Sequence, residues 1–246
     1  MIPIFSILSL FLSVIIFICF LKLYFSYRHS KLETIGIFSK VFLFLSLFWF
    51  FLSPPKLITN DLTLIQIFLD LSLFFGYLTM AYFLFIPFKI YEQWELPKSL
   101  FFSIISFGIV FLIFSILNLK PAFIHFQNNF VFWSENRSQL VNIISGTLFS
   151  LMAIVGALFF YKGGLKSKEK AVRLRAFLIS ASIICIPLAA GVRFVFGFLF
   201  NIFISTLIAF FLEIFSVFLM IIAIFFVKPE KKQIFYQKIY EEEEEQ

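Results

Sequence analysis

The chain has 246 residues, of which 61% are hydrophobic and only 14% charged, with a formal net charge of +6 and 42 phenylalanines. Soluble domains average about 45–50% apolar and about 25% charged residues, and one soluble core of this length could not bury that many Phe rings. A soluble globular domain is excluded, and the positive charge is no nucleic-acid signal, because it is spread between apolar runs in the manner of membrane topology.

Seven apolar stretches are long enough to cross a bilayer. The first covers 3–25; no basic segment precedes it and no small-residue cleavage site follows it, so it is expected to be a retained helix. Lys22 near its end can snorkel to the interface, and the polar, basic loop YRHSKLET follows. The second covers 35–53, with Lys40 near its start, and stops at Pro54-Pro55. Asn60-Asp61 precede the third, 62–86, in which Gln66, Asp70 and Tyr77 fall on one helix face by their spacings of four and seven. Pro87 is expected to close it. After the loop KIYEQWELPK, Ser99 is the expected N-cap of the fourth stretch, 99–119, which Lys120-Pro121 ends.

The longest loop, 122–139, sets Phe123, Phe126, Phe130, Phe132 and Trp133 among polar residues. Interfacial anchoring by aromatics is the first reading, and a flap over a cavity is the second. Asn136-Arg137-Ser138 fits the glycosylation pattern, with no other feature of a eukaryotic secretory protein beside it. The fifth stretch, 140–161, carries a small-residue face of Gly146, Ser150, Ala153 and Ala157 suited to close helix packing. The most basic loop of the chain comes next, with Lys162, Lys166, Lys168, Lys170, Arg173 and Arg175. Its first reading is topology-setting charge, and its second a contact to anionic lipid or an acidic partner.

The sixth stretch, 176–200, places Ala181, Cys185, Ala189, Arg193 and Gly197 at four-residue steps, hence on one face. Pro187 in its middle is expected to kink it. A turn at Asn201 leads to the seventh, 202–227, with Glu213 near its centre between Thr206 and Ser216. The division is therefore a transmembrane domain, 1–227, and a charged tail, 228–246, that ends in the acidic run 241–245.

Sixteen of the twenty Lys and Arg fall on one side of this seven-span arrangement; only Lys56, Lys120 and Arg137 fall on the other, and Arg193 lies within a span. The positive-inside rule then puts the N-terminus outside and the C-terminus in the cytoplasm. The expected fold is all-α, a polytopic integral membrane protein of a bacterial or archaeal cytoplasmic membrane.

In this frame Asp70 is about 12 Å deep, Arg193 about 10 Å and Glu213 about 16 Å, at 1.5 Å per residue from the outer ends. A charge in hydrocarbon normally faces a partner or a water-filled cavity. Arg193 is expected to pair with Asp70 or Glu213, with Gln66, Tyr77, Thr206 and Ser216 around them. A register-fixing salt bridge and a ligand, ion or proton site are both open readings. The acid left over would have to be protonated, hydrated or cation-bound.

No HExxH, GxSxG, Walker A or CxxC pattern occurs, and no catalytic residue is assigned. Cys19 and Cys185 both lie in apolar runs and read as small buried hydrophobes. His29 and His125 fall in loops on opposite sides, so no metal site or cofactor is implied. In topology alone the chain is similar to seven-helix receptors, rhodopsins and the seven-helix sensor regions of bacterial histidine kinases. The stretch 202–227 has no Lys for a retinal Schiff base, and neither Asp-Arg-Tyr after the third span nor Asn-Pro-x-x-Tyr in the seventh is present.

The leading functional expectation is a sensor-like or accessory binding module with its site in the outer half of the bundle. Its partners would be the bilayer and a cytoplasmic protein at the basic loop and tail, with no nucleic acid. A small-solute or ion transporter with an intramembrane carboxylate is the alternative, and an intramembrane enzyme is third.

Overall fold

Serine and glycine, more than the large apolar side chains, mark the inward faces of these helices. In the first helix the buried positions are Ser6, Ser9, Leu12, Ser13, Ile16 and Leu23, while Phe11, Val14, Ile18 and Phe25 are more than half exposed. Large apolar side chains thus occur on both faces, unlike in a soluble protein. This is what is expected where lipid is as apolar as leucine and small residues let backbones approach. Several of the hydroxyls pair with backbone carbonyls. Ser39, Ser46 and Ser53 donate to carbonyls three residues back, at 2.7 Å each, and Ser13 Oγ crosses to the carbonyl of Ser46 at 2.9 Å.

The computed structural model describes residues 2–54, 57–90, 95–127, 129–137, 139–192 and 202–227. It divides into two compact units, Met1–Met152 and Ala153–Gln246.

The first unit begins with α1 (Ile4–Ser30), α2 (Glu33–Leu52), α3 (Leu62–Ile90) and α4 (Glu95–Leu117). Each packs against the next in sequence. Asp61 caps α3: its Oδ1 accepts the backbone N–H of Thr63 at 2.8 Å and that of Leu64 at 3.3 Å. After α4 the chain forms an antiparallel hairpin of β1 (Phe123–Gln127) and β2 (Phe130–Ser134), with Phe123 opposite Ser134 and Gln127 opposite Phe130. It then enters α5 (Gln139–Lys166), within which the division between the units falls. The second unit comprises the rest of α5, then α6 (Lys170–Gly191) and α7 (Ile202–Ile221), which ends in a π-helical turn, Ile222–Phe226; α6 packs on α7. Among the described residues all seven helices are long and apolar enough to cross a membrane.

Several boundaries differ from the sequence expectation. α3 runs one turn past Pro87 to Ile90, because neighbouring helices can hold a proline-containing helix in place. α4 starts at Glu95, so Ser99 lies inside it and is not its N-cap. Pro97 is tolerated there because the first-turn N–H groups have no intrahelical acceptor to lose. The stretch expected as a basic loop is helical almost throughout: Lys162 and Lys166 belong to α5, and Lys170, Arg173 and Arg175 to α6, leaving Lys168 in the connection. Lys and Arg are good helix formers, and Gly164 does not break α5 because it packs on Phe177, whose ring would stand 2.9 Å from an added Cβ.

α6 continues through Pro187. Of its expected small face, Cys185 and Ala189 are buried but Ala181 is exposed. Ser182 takes the inward position instead, because the reciprocal bonds Ser182 Oγ to Ser216 O (2.8 Å) and Ser216 Oγ to Ser182 O (2.7 Å) fix the rotation of α6 against α7. In α5, Ala153 and Ala157 are fully buried. Arg193, Gly197, Asn201 and the tail 228–246 lie outside the described residues.

Candidate functional site

The hairpin is what builds the site. Its strands are held to the first unit from two directions. The N–H of Ala122 bonds to the carbonyl of Leu62 at 3.0 Å. Ile2 bridges to the turn end of the hairpin, donating to Asn129 O at 2.8 Å and accepting from Val131 N at 3.2 Å. Phe5 meets Phe132 edge-to-face at 5.7 Å, and Trp133 packs on the cluster of Ile65, Leu69 and Ala122. With both ends fixed, the segment that leaves β2 is delivered over the first turns of α3.

There Asn136 and Arg137 close on the polar face of α3. The backbone N–H of Asn136 donates to Gln66 Oε1 at 2.8 Å. That bond fixes the amide orientation, since a backbone N–H can only donate. Gln66 Nε2 therefore donates to Asp70 Oδ1, at 3.0 Å. Arg137 Nε reaches the same Oδ1 at 2.6 Å, and its Nη2 donates to the carbonyl of Leu69 at 3.1 Å. The guanidinium also lies 5.3 Å from the ring centroid of Phe111, and its Nη1 is 3.7 Å from Glu135 Oε1. Asn136 Nδ2 anchors the segment to the carbonyl of Pro121 at 2.9 Å.

Asp70 is thus buried in a charge-assisted pair, with side-chain exposures of 8% for Arg137 and 1% for Asp70. Its two oxygens are unequal. Oδ1 accepts both donors, whereas Oδ2 is buried without a hydrogen-bond partner, as is Ser115 Oγ of α4. Asp70 and Ser115 line one cavity of about 120 Å³ together with Gln66, Phe114, Asn118, Lys120, Asn136 and Arg137. At about 30 Å³ per water this space is worth roughly four water molecules. Leaving buried oxygens without a donor costs stability, and both of these belong to residues of the cavity lining.

The sequence-expected candidates distribute as follows. Gln66 and Asp70 come together in this cavity. Tyr77, two turns further along α3, is buried beside Ser145 among the rings of Phe107, Phe111 and Phe149. Thr206, Glu213 and Ser216 belong to the second unit, where Thr206 and Glu213 are half-buried on α7 and Ser216 bonds to Ser182. The partner of Asp70 among the described residues is Arg137; the expected partner, Arg193, lies outside them. Of the basic residues of 162–175, Arg173 donates through Nη2 to Ser167 O at 2.9 Å, and Arg175 donates to the carbonyl of Val227 after the π turn.

Sequence reasoning missed Arg137, Asn136, Asn118, Lys120 and Ser115. The available signal was Asn128-Asn129, a dipeptide suited to a two-residue hairpin loop, set between two aromatic five-residue runs. Reading it would have folded 135–137 back toward α3. Compared with known proteins, the chain matches no family model, and no curated protein aligns with it.

Proposed function

We propose that this chain is a sensor-like or accessory binding module of a cytoplasmic membrane, which takes up a small polar ligand from the outer side in the cavity at Asp70. The seven helices would be its spans, with the N-terminus outside and the C-terminus in the cytoplasm. The observation that carries the reading is Asp70, whose Oδ2 is buried and unpartnered, in the lining of a cavity of about 120 Å³. A carboxylate kept only as a register-fixing ion pair would gain by presenting both oxygens to Arg137 in a fork. Here the arginine takes one oxygen through Nε. Support for the orientation comes from the uneven distribution of Lys and Arg, which leaves Lys120 and Arg137 on the sparsely charged side. The signal would leave through the basic segment 162–175 and the tail to a cytoplasmic protein.

The test is a thermal-shift screen of small polar compounds on the full chain in detergent, repeated with Ser115→Leu, which fills the cavity. Compounds that stabilise the parent and not the variant support the reading. A screen in which no compound depends on Ser115 contradicts it. Proteoliposome uptake coupled to an ion gradient would replace the binding module by the transporter.

A further inference from the structure

The cavity's charges and donors narrow the ligand. Its lining holds one carboxylate, Asp70, against two cations, Arg137 and Lys120. Arg137 is committed to Asp70 Oδ1 and Leu69 O. Lys120 is exposed. The lining residues therefore carry two buried acceptors without partners, Asp70 Oδ2 and Ser115 Oγ, and one exposed ammonium, that of Lys120.

A divalent cation fits this set poorly, since Ca²⁺ takes six to eight oxygen ligands and the lining provides a single carboxylate. A simple monocation would leave Lys120 facing added positive charge. A simple anion would be drawn to Lys120 but would bring its charge toward the unpartnered oxygen of Asp70. A molecule with an ammonium at one end and a carboxylate at the other satisfies both kinds of group and leaves the charge of the site unchanged. Resting on the proposal that this cavity is a binding site, we infer that its ligand is a small zwitterion of the size of the simplest amino acids. Its ammonium donates to Asp70 Oδ2 and Ser115 Oγ, and its carboxylate accepts from Lys120.

The experiment is calorimetric titration of the full-length protein in detergent with glycine, methylamine and acetate, followed by a broader panel of neutral and singly charged compounds. Glycine should bind saturably. Methylamine and acetate, each lacking one charge-assisted contact, should bind about tenfold more weakly or worse. Lys120→Gln changes an exposed side chain and should leave folding intact; it should weaken glycine about tenfold and bind methylamine at least as tightly as the parent does. Ser115→Leu should abolish binding of both. Methylamine or acetate binding as tightly as glycine overturns the inference, and so does a Lys120→Gln protein that binds glycine like the parent. A compound of another class whose binding is lost in Ser115→Leu removes the zwitterion assignment and leaves the binding module standing. No Ser115-dependent binding by any compound removes both.

Discussion

Arg137 and Asp70, 67 positions apart, meet at 2.6 Å through Nε and Oδ1, and this contact ties the segment after the hairpin to α3. Both side chains are buried, so each neutralises a charge that would otherwise be stranded. The same contact leaves the second carboxylate oxygen without a hydrogen-bond partner.

Removing one partner of such a pair typically costs about 3–5 kcal/mol, because the other charge remains buried alone. Arg137→Ala should therefore lower the unfolding free energy in detergent by about that amount. Adding Asp70→Asn should restore part of the loss. A double variant no more stable than Arg137→Ala would show that the two charges are independent.

How much of this was legible in the sequence follows from which signals are local. The seven helices could be read because apolar runs of that length have few alternatives, and Gln66 and Asp70 could be read because a carboxamide and an acid four residues apart stand out inside such a run. Arg137 could not be ranked above Lys56 or Lys120, because nothing local distinguishes a loop arginine that folds inward from one that faces water. The hairpin that turns it inward is aromatic on both strand faces, so it lacks the polar–apolar alternation that betrays a half-buried strand. On α6 the inward face holds Cys185 and Ala189 as expected, and only Ala181 gives way, to Ser182. Ala181 and Ser182 are both small, and only the partner backbone of α7 selects Ser182.

The hairpin should loosen in acid. His125 stacks on Phe132 with 4.9 Å between centroids and shares a 2.8 Å hydrogen bond with Ser134 Oγ. Burial lowers its pKa from the ordinary 6.5, so the unfolded hairpin binds the proton more readily than the folded one. Above 6.5 the two forms bind protons equally, and stability is then lost as pH falls from 6.5 toward the depressed folded value. Hydrogen exchange of the β1 and β2 amides should accelerate over that window beyond its intrinsic pH trend, and His125→Gln should abolish the excess. Equal behaviour of parent and variant would remove His125 as the cause.

In the second unit, the Ser182–Ser216 pair should show measurable coupling. Hydroxyl bonds between helices in a membrane setting average about 0.6 kcal/mol and reach about 1.7 kcal/mol. The reciprocal geometry, with two carbonyl contacts and a 3.1 Å hydroxyl contact, places the summed loss of this pair toward the upper end. A double-mutant cycle of Ser182→Ala and Ser216→Ala on thermal unfolding measures it. Each hydroxyl donates to the other residue's backbone carbonyl, which alanine retains, so those two losses add and only the 3.1 Å hydroxyl contact appears as coupling; single variants as stable as the parent would mean that packing, not hydrogen bonding, sets the contact.

Beneath the site, α4 approaches α3 at Gly108, where an added Cβ would stand 3.1 Å from Tyr77 Cβ. Gly108→Leu should destabilise by about 1–3 kcal/mol through overpacking. Tyr77→Ala in the same chain should recover part of that by opening space. A neutral Gly108→Leu would mean that the helices separate here at no cost.

Ligand entry from the outer side requires the cavity at Asp70 to be open to the outside. The most direct measurement places a thiol in it, using Ser115→Cys in a chain carrying Cys19→Ala and Cys185→Ala, and treats intact cells with a small, membrane-impermeant anionic thiosulfonate. The expected result is modification from outside, with Ser167→Cys in the same background protected until the cells are opened. Protection of the Ser115→Cys thiol in intact cells, with modification only after opening or not at all, would contradict it.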